Sequence, residues 1–226
     1  AEHGPAWSRA GHQLKHYRSL EELQVLIDSG EAKHAVVINP NNPSCEHSPR
    51  ERLLALASQL TAGGGLLLVD EAFIDTRPQE SLCGHDTDQD SGGLLSLGKF
   101  FGLAGLRLGF VMSSSPILSK RMALVRPWAV SHPARWIGER ALADLQWQQS
   151  QRVALPPAAA AWCAFLTEQF PQCEVASTDF FVSLRGAENL CARAFEGLAK
   201  RQILVRQLPP IEGRAGLRLG LPTTAQ

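Results

Sequence analysis

Helical and extended hydrophobic patterns alternate along the first 70 residues. An amphipathic stretch over 20–29 follows the capping-box residues Ser19 and Glu22 and stops at Gly30, which predicts a helix. The continuous apolar run 35–38 predicts a strand buried on both faces. The same order then repeats. Ser48-Pro49 is a helix start signal, with proline at the first helical position, and the helix is predicted to continue over 50–61. A strand is predicted over 66–70. Alternating helices and strands predict a parallel sheet with crossover helices.

The pattern after residue 90 predicts more of this sheet and then a smaller lobe. Short strands are predicted over 94–96 and 108–112, followed by helices over 116–125 and 134–148. Beyond residue 150 the composition shifts, and the predicted elements are a helix over 157–169, a strand over 180–184, a helix over 187–200 and strands over 203–206 and 217–221. We therefore predict an α/β protein with a large domain over 1–125, an interdomain helix over 126–150 and a small C-terminal domain over 151–226.

Charge and composition narrow the classes of function. Lys plus Arg and Asp plus Glu each number 22, so the formal net charge is zero and predicts no binding of nucleic acid or of an anionic membrane. No apolar run approaches the roughly 20 residues that cross a bilayer, and the first residues do not resemble a signal sequence, so we expect a cytoplasmic protein. Five scattered cysteines favour free thiols. The acidic stretch 85–90 is interpreted as a solvated loop and not as a metal site.

The segment 94–110 is the most unusual part of the chain, because it is mostly apolar yet contains four glycines and Lys99. An ammonium is costly in such surroundings, and a desolvated lysine amine commonly forms a Schiff base with a carbonyl, including that of pyridoxal phosphate (PLP). Ser96 and Arg107 are placed to face one anionic group, because a hydroxyl and a guanidinium both suit phosphate oxygens. The alternative is a glycine-rich hairpin whose lysine extends to solvent.

Polar residues follow both predicted strands of the first 70 residues, at the ends where ligands collect in open α/β sheets. Asp70 ends one strand, and a carboxylate at this point can keep the ring nitrogen of PLP protonated. The alternative for Asp70 is a cap on the strand end. Glu71 is expected to point the opposite way along an extended chain and to have no role in binding. The Asn-Pro cluster 39–43 ends the other strand, and a simple turn is its alternative.

Three motifs together resemble a known family. They are Ser-x-x-Lys followed by Gly-Leu-Ala-Gly-Leu-Arg-Leu-Gly over 96–109, Asp-Glu-Ala-Phe-Ile-Asp over 70–75 and Leu-Arg-Leu-Gly-Leu-Pro over 217–222. Residues 1–222 resemble the PLP-dependent fold-type I aminotransferases and decarboxylases, and look most like the threonine-phosphate decarboxylases of cobalamin synthesis. The resemblance implies a mostly parallel large-domain sheet flanked by helices and a smaller C-terminal α/β domain. It also implies that relatives carry a further N-terminal part of the fold.

The resemblance also implies roles for individual residues. Lys99 would form the Schiff base, Ser96 and Arg107 would hold the cofactor phosphate, Asp70 the ring nitrogen, Asn42 the phenolic oxygen, and Arg218 the substrate carboxylate, with Arg206 and Arg214 as competitors of Arg218. Two departures stand out, since relatives often have glycine at the position of Cys45 and tyrosine at that of Phe73. The resemblance implies no metal-binding residues.

The implied activity is decarboxylation of L-threonine O-3-phosphate to aminopropanol phosphate by a homodimer, with a small phosphorylated amino acid as the only partner besides PLP and the second subunit. One alternative is an aminotransferase of the histidinol-phosphate type, which shares the lysine and arginine framework. Another is a truncated, non-catalytic remnant that interacts with a second chain.

Overall fold

The fold is described from a computed structural model of the chain, which covers residues 3–83, 91–113, 115–122, 124 and 129–222. The acidic stretch 85–90 and the predicted end of a helix at residue 125 lie outside these ranges. Within them the helices are α1 (His3–Arg9), α2 (Leu20–Asp28), α3 (Arg50–Ala62), α4 (Pro116–Met122), α5 (His132–Ala143), α6 (Leu145–Gln169) and α7 (Glu188–Lys200). The strands are β1 (His34–Ile38), β2 (Leu66–Asp70), β3 (Ser91–Ser96), β4 (Gly109–Ser113), β5 (Glu174–Ser177), β6 (Phe181–Ala187), β7 (Arg206–Ile211) and β8 (Arg214–Gly220).

The first sheet has the order β1-β2-β3-β4. Its first three strands are parallel, as predicted, and β4 returns antiparallel to β3. Helices α2 and α3 cover one face, with Leu23, Leu53 and Leu56 packed against Leu67 and Val69. The parallel pairing brings the carboxyl ends of β1, β2 and β3 to the same edge of the sheet.

Strand β1 is not buried on both faces as predicted. Ala35 and Val37 are buried, while the residues between them are half-buried. The reason is that α2 and α3 cover only one face of β1. The other face lines a cavity of about 460 Å³ that is also bordered by α1 and the segment after it, and the Tyr17 hydroxyl donates a hydrogen bond to the Val36 carbonyl there, at 2.8 Å.

The two predicted helix starts differ in their outcome. Ser19 caps α2, its hydroxyl accepting a hydrogen bond from the Glu22 N–H at 3.2 Å, and the Glu22 carboxylate accepts one from the Arg18 N–H at 2.7 Å. At α3, Pro49 occupies the N-cap and not the first helical position. Ser48 does not cap this helix, because its backbone is held by the buried Asn39 side chain through bonds of 2.8 and 3.0 Å.

The second sheet is antiparallel throughout, in the order β5-β6-β8-β7. The predicted strand over 203–206 is wrong, since β7 begins only at Arg206, and β5 has no counterpart in the prediction. Helices α6 and α7 pack on one side of this sheet, where Leu166 and Cys191 join the core. Leu204 precedes β7 and is 95% exposed, so the apolar run at this point is not a buried strand.

The predicted helix over 134–148 is two helices that meet at Asp144. The Asp144 carboxylate accepts a hydrogen bond from the Trp147 N–H at 3.0 Å and so caps α6. The Gln148 amide donates to the carbonyls of Ala141 and Leu142, at 3.2 and 2.9 Å, and closes the junction. Helix α6 then continues through Pro156-Pro157 to Gln169. The proposed domain boundary at 150/151 therefore falls inside a continuous helix.

In the part of the chain that the structure describes, no helix combines the length and the apolar character that crossing a bilayer requires. All five cysteines lie in the same part, and each is a free thiol.

The end of α7 allows a direct test of backbone strain. Gln202 has a φ of 63° and is exposed, and its N–H donates to the Ala199 carbonyl at 2.9 Å. Glycine is the usual residue in this left-handed cap, so Gln202→Gly is expected to raise the free energy of unfolding by about 0.5 to 1 kcal/mol in urea denaturation. Gln207→Gly, on the exposed face of β7, should lower the free energy of unfolding. A loss of similar size in both variants would contradict the strain at residue 202.

Candidate active site

Asp70 ends β2 with both carboxylate oxygens engaged. Oδ2 lies 2.7 Å from His3 Nε2, and Oδ1 accepts a hydrogen bond from the Ala72 N–H at 3.1 Å. Burial by itself raises the pKa of this carboxyl, but the bonds from His3 and Ala72 outweigh it and the net pKa is lowered. Asp70 is therefore an oriented, ionised carboxylate at neutral pH, at the sheet edge where a ligand is expected.

Glu71 points away from this edge, as predicted from the alternation of an extended chain. Its carboxylate is completely buried and accepts hydrogen bonds from the Ser81 hydroxyl at 2.5 Å and the Leu82 N–H at 2.7 Å. The Cys83 thiol is also within 3.3 Å, and burial, with the neighbouring Glu71 charge, raises the pKa of Cys83 to about 12. Glu71 thus fixes the loop that follows β2, a structural role that the sequence did not predict.

Lys99 lies in the turn between β3 and β4 and extends into a cleft. Contrary to the prediction of an apolar setting, its side chain is exposed, because the neighbouring Phe100 takes the core position and is only 5% exposed. The Lys99 Nζ atom lies 5.5 Å from the centroid of the Phe73 ring. At the position where relatives often have tyrosine, Phe73 therefore contributes an aromatic face beside the amine.

The cleft has a volume of about 580 Å³ and lies between the two sheets. Its lining combines aromatic rings, aliphatic side chains, glycines and three cationic side chains. The lining residues are Phe73, Gly98, Lys99, Phe180, Phe181, Leu204, Val205, Arg206, Arg218 and Gly220. Phe181 begins β6 and Phe180 directly precedes it. Both rings pack against Phe73, with centroids 5.6 Å away for Phe180 and 5.2 Å for Phe181.

Arg218 joins the second sheet to the turn after β1. Its Nη1 donates a hydrogen bond to Asn42 Oδ1 at 2.6 Å, and its guanidinium lies 5.4 Å from the Phe181 ring centroid. Burial and the nearby Arg206 lower the pKa of Arg218. Arg206 is the cross-strand neighbour of Arg218 and lines the same cleft. Arg214 is engaged elsewhere, in an ion pair with Glu174 at 3.1 Å.

Ser96 and Arg107 lie at the same end of the β3–β4 hairpin, where Ser96 pairs with Gly109. The Ser96 hydroxyl accepts a hydrogen bond from the Gly98 N–H at 3.1 Å, next to Lys99. Arg107 is exposed, has a φ of 51° and donates to the Ala104 carbonyl at 3.1 Å. Neither residue lines the cleft, so their predicted role toward a phosphate stays a prediction.

Cys45 closes the turn 41–46 with a φ of 68°, a conformation that favours glycine. Its N–H donates to the Asn41 carbonyl at 2.9 Å, and its thiol lies 3.4 Å from the carbonyl of Ala176 in β5. Burial raises the pKa of this thiol. The position thus keeps a glycine-like backbone while its side chain contacts the second sheet.

Two features of the site were missed at the level of sequence. The His3 contact to Asp70 has no local signal, because the residues are 67 positions apart. The aromatic pair Phe180-Phe181 was interpreted only as part of a strand, although the polar residues Thr178 and Asp179 directly before it mark the start of that strand. Of the predicted residues, Asp70 ends β2 and Asn42 lies in the turn after β1. Lys99 and Arg218 line the cleft, and Ser96 and Arg107 lie outside its lining.

The family model for aminotransferases of classes I and II matches residues 2–224, so the chain belongs to that family. It is 39% identical over 222 residues to the threonine-phosphate decarboxylase of Pseudomonas aeruginosa, covering 98% of this chain and 64% of that protein. It is 50% identical over 117 residues to a threonine-phosphate decarboxylase of Sinorhizobium sp, covering 50% of this chain and 34% of that protein. The chain thus spans less than two thirds of the length of these relatives.

Solved structures of other proteins share the fold of this chain. The histidinol-phosphate aminotransferase of Sinorhizobium meliloti, solved in complex with pyridoxal-5'-phosphate, superposes with a TM-score of 0.76 at 22% identity. The match covers 92% of this chain and 57% of that one. The predicted fold class, an α/β protein of the PLP-dependent transferase type, is confirmed.

Proposed function

We propose that the chain carries the catalytic lysine of a PLP-dependent carboxy-lyase that converts L-threonine O-3-phosphate to aminopropanol phosphate. The observation that carries this proposal is the cleft, because one amine and two guanidinium groups, those of Lys99, Arg206 and Arg218, line a single cavity. The 39% identity to a threonine-phosphate decarboxylase over nearly the whole chain supports the choice of substrate.

The residues present suit PLP. When bound, this cofactor supplies an electron sink for a bond at the substrate carbon next to nitrogen. Asp70 offers the oriented, ionised carboxylate that would hold a protonated ring nitrogen, and its lowered pKa further favours the charged form. Asn42 would donate its amide N–H to the phenolic oxygen, with its Oδ1 already fixed by Arg218. Ser96 and Arg107 would hold the cofactor phosphate.

The two arginines suit a substrate with two anionic groups. Arg218 would bind the carboxylate, since a guanidinium binds carboxylates with two parallel hydrogen bonds. Arg206, adjacent to it across the β7–β8 pair, would then face the phosphate. When the carbon–carbon bond to the carboxylate breaks and carbon dioxide leaves, Lys99 Nζ is the group in the cleft that can return a proton to the substrate carbon.

An aminotransferase of the histidinol-phosphate type is the second candidate, and it would use the same residues. The orientation of the substrate decides which bond breaks, so product analysis separates the two. Release of carbon dioxide without consumption of a keto acid supports the lyase, and dependence on 2-oxoglutarate supports the transferase.

A homodimer and a cytosolic location are further parts of this proposal. The alternative to both enzymes is a non-catalytic remnant.

The first test adds PLP to the protein and follows visible absorbance. We expect a band that borohydride bleaches, with the reduced adduct on the peptide that contains Lys99, since an imine between lysine and PLP is conjugated with the cofactor ring and is reducible. Lys99→Ala should lose band and adduct completely. Lys200→Ala, an exposed lysine at the end of α7, should keep both. The absence of a band in the parent would contradict the proposed function for this chain.

A further inference from the structure

Arg152 contacts three separate parts of the molecule from its position on α6. Its Nε donates a hydrogen bond to the backbone carbonyl of Asp75 at 2.8 Å, and its Nη2 donates to Gln148 Oε1 at 3.2 Å. Its guanidinium carbon lies 5.6 Å from the centroid of the Phe100 ring. One planar cation thus connects α6, the loop after β2 and the turn that carries Lys99.

Phe100 is the anchor of that turn. It is buried while the adjacent Lys99 is exposed. The Phe100 ring meets Trp147 at 5.3 Å and Phe101 at 5.0 Å, both edge to face. Because Lys99 and Phe100 are consecutive, fixing the Phe100 ring also fixes the backbone from which the Lys99 side chain extends. Arg152 adds a cation–π contact to the Phe100 ring.

The second contact of Arg152 reaches the other wall beside Lys99. Phe73, whose ring lies beside Lys99 Nζ, is two residues before Asp75 in the loop after β2. The Asp75 carbonyl is held by Arg152, and the next residue, Thr76, donates its hydroxyl to Asp179 at 2.7 Å. Arg152 therefore contacts the ring of Phe100, which follows Lys99 in the sequence, and the loop that carries Phe73, whose ring lies beside the amine.

The arginine is itself held in place. Gln148, which accepts its Nη2 bond, is buried and donates its own amide to the carbonyls at the end of α5. The result is a continuous hydrogen-bonded chain from the α5–α6 junction to the loop after β2. An ammonium cannot make the same set of contacts, because it lacks the planar, forked donors of a guanidinium.

We propose that Arg152 is a positioning residue that fixes the location of Lys99 through Phe100 and the Asp75 carbonyl. Its importance for catalysis rests on the proposed function, but the positioning itself does not require PLP. Arg152 belongs neither to the three family motifs nor to the lining of the cleft. It contacts Phe100 and the loop after β2 from α6.

Amide hydrogen exchange on the protein without PLP tests the inference. In Arg152→Met we expect exchange over 97–103 to accelerate about tenfold, the change typical of losing one charge-assisted hydrogen bond, while exchange over 53–60 of α3 stays unchanged. Arg140→Met is the matched control. Arg140 also stacks on a tryptophan, at 3.5 Å from the Trp136 ring, and donates to its own helix, but it is exposed on α5 and contacts no residue of the cleft described above.

A second variant protects the test against general unfolding. Arg152→Lys keeps the charge and should keep the fold, yet exchange over 97–103 should still rise severalfold. Parent-like exchange over 97–103 in both Arg152 variants, or an equal rise over 53–60, would overturn the inference. Borohydride trapping of PLP at Lys99 should be slower in both variants than in Arg140→Met. If the parent traps no PLP, the proposed function fails while the exchange result still decides the role of Arg152.

Discussion

Replacing Gly65 with alanine is expected to lower the free energy of unfolding by about 3 kcal/mol, near the upper end for an overpacked site. A Cβ atom at this position would lie 1.8 Å from the Lys33 carbonyl oxygen and 3.0 Å from that of Leu60. Both are backbone atoms at the ends of neighbouring elements, so no flexible side chain can move aside. The start of β2 would have to shift relative to β1 and α3. Urea denaturation followed by circular dichroism measures the loss.

Gly63→Ala is the matched control, two residues earlier. Its Cβ would lie 3.5 Å from the Leu60 carbonyl oxygen, an ordinary contact, and its φ of −82° suits alanine. We expect a change in the free energy of unfolding within about 0.5 kcal/mol for this variant. Equal losses in both variants would mean that the approach of Lys33 to Gly65 is not the cause.

The second large effect is a gain of stability in Asp75→Asn that depends on pH. Burial is the main cause that raises the pKa of Asp75 from 3.8 to about 6, and the charge of Glu71 adds to it, although Arg152 acts in the opposite direction. The Asp75 Oδ2 atom is buried without a hydrogen-bond partner in the described part of the chain. The folded protein therefore holds an ionised carboxylate at an unfavourable site above pH 6.

The sign follows from proton binding. The folded state binds the Asp75 proton more tightly than the unfolded chain, so the free energy of unfolding of the parent rises as the pH falls from about 7 to about 4. Asparagine removes the charge, and we expect Asp75→Asn to be more stable than the parent by about 2 kcal/mol at pH 8, with the gain shrinking to near zero at pH 4. Asp28→Asn, at the exposed end of α2, is the control for the same substitution at a surface position. A gain that is constant with pH would contradict the raised pKa.

Local patterns were sufficient for the elements that carry much of the core. The helix α2 and the parallel strands β1 and β2 were predicted because capping residues and apolar runs are local signals. Strand β7 was misplaced because Pro209 and Pro210 mask its extended pattern, whereas an edge strand tolerates proline. The break between α5 and α6 was missed because Asp144 ends one helix and caps the next. The spacing of apolar residues continues through Asp144, so it does not indicate the break.

The site was predicted as a set of residues but not as a geometry. The rule that ligands collect at the ends of parallel strands located Asp70 and the Asn-Pro cluster 39–43, and its apolar neighbours singled out Lys99. The choice of Asn42 within the cluster, and that of Arg218, came from the family resemblance. The exposure of Lys99 could not be predicted, because it depends on which of two consecutive residues enters the core. The contacts of Asp70 with His3 and of Asn42 with Arg218 join residues 67 and 176 positions apart, so only the folded chain brings them together.

The bond between Arg218 and Asn42 has a consequence for selectivity. A ligand that approaches the Arg218 guanidinium competes with an amide oxygen already 2.6 Å away. Hydrogen bonds to charged groups contribute about 1.5 to 3 kcal/mol, so a weak neutral acceptor gains nothing by displacing this amide. A carboxylate or phosphate, with two charged oxygens, would instead bind the remaining N–H donors of the guanidinium while Asn42 keeps its place. In the proposed site, the arginine held by Asn42 would therefore favour anionic ligands over uncharged ones.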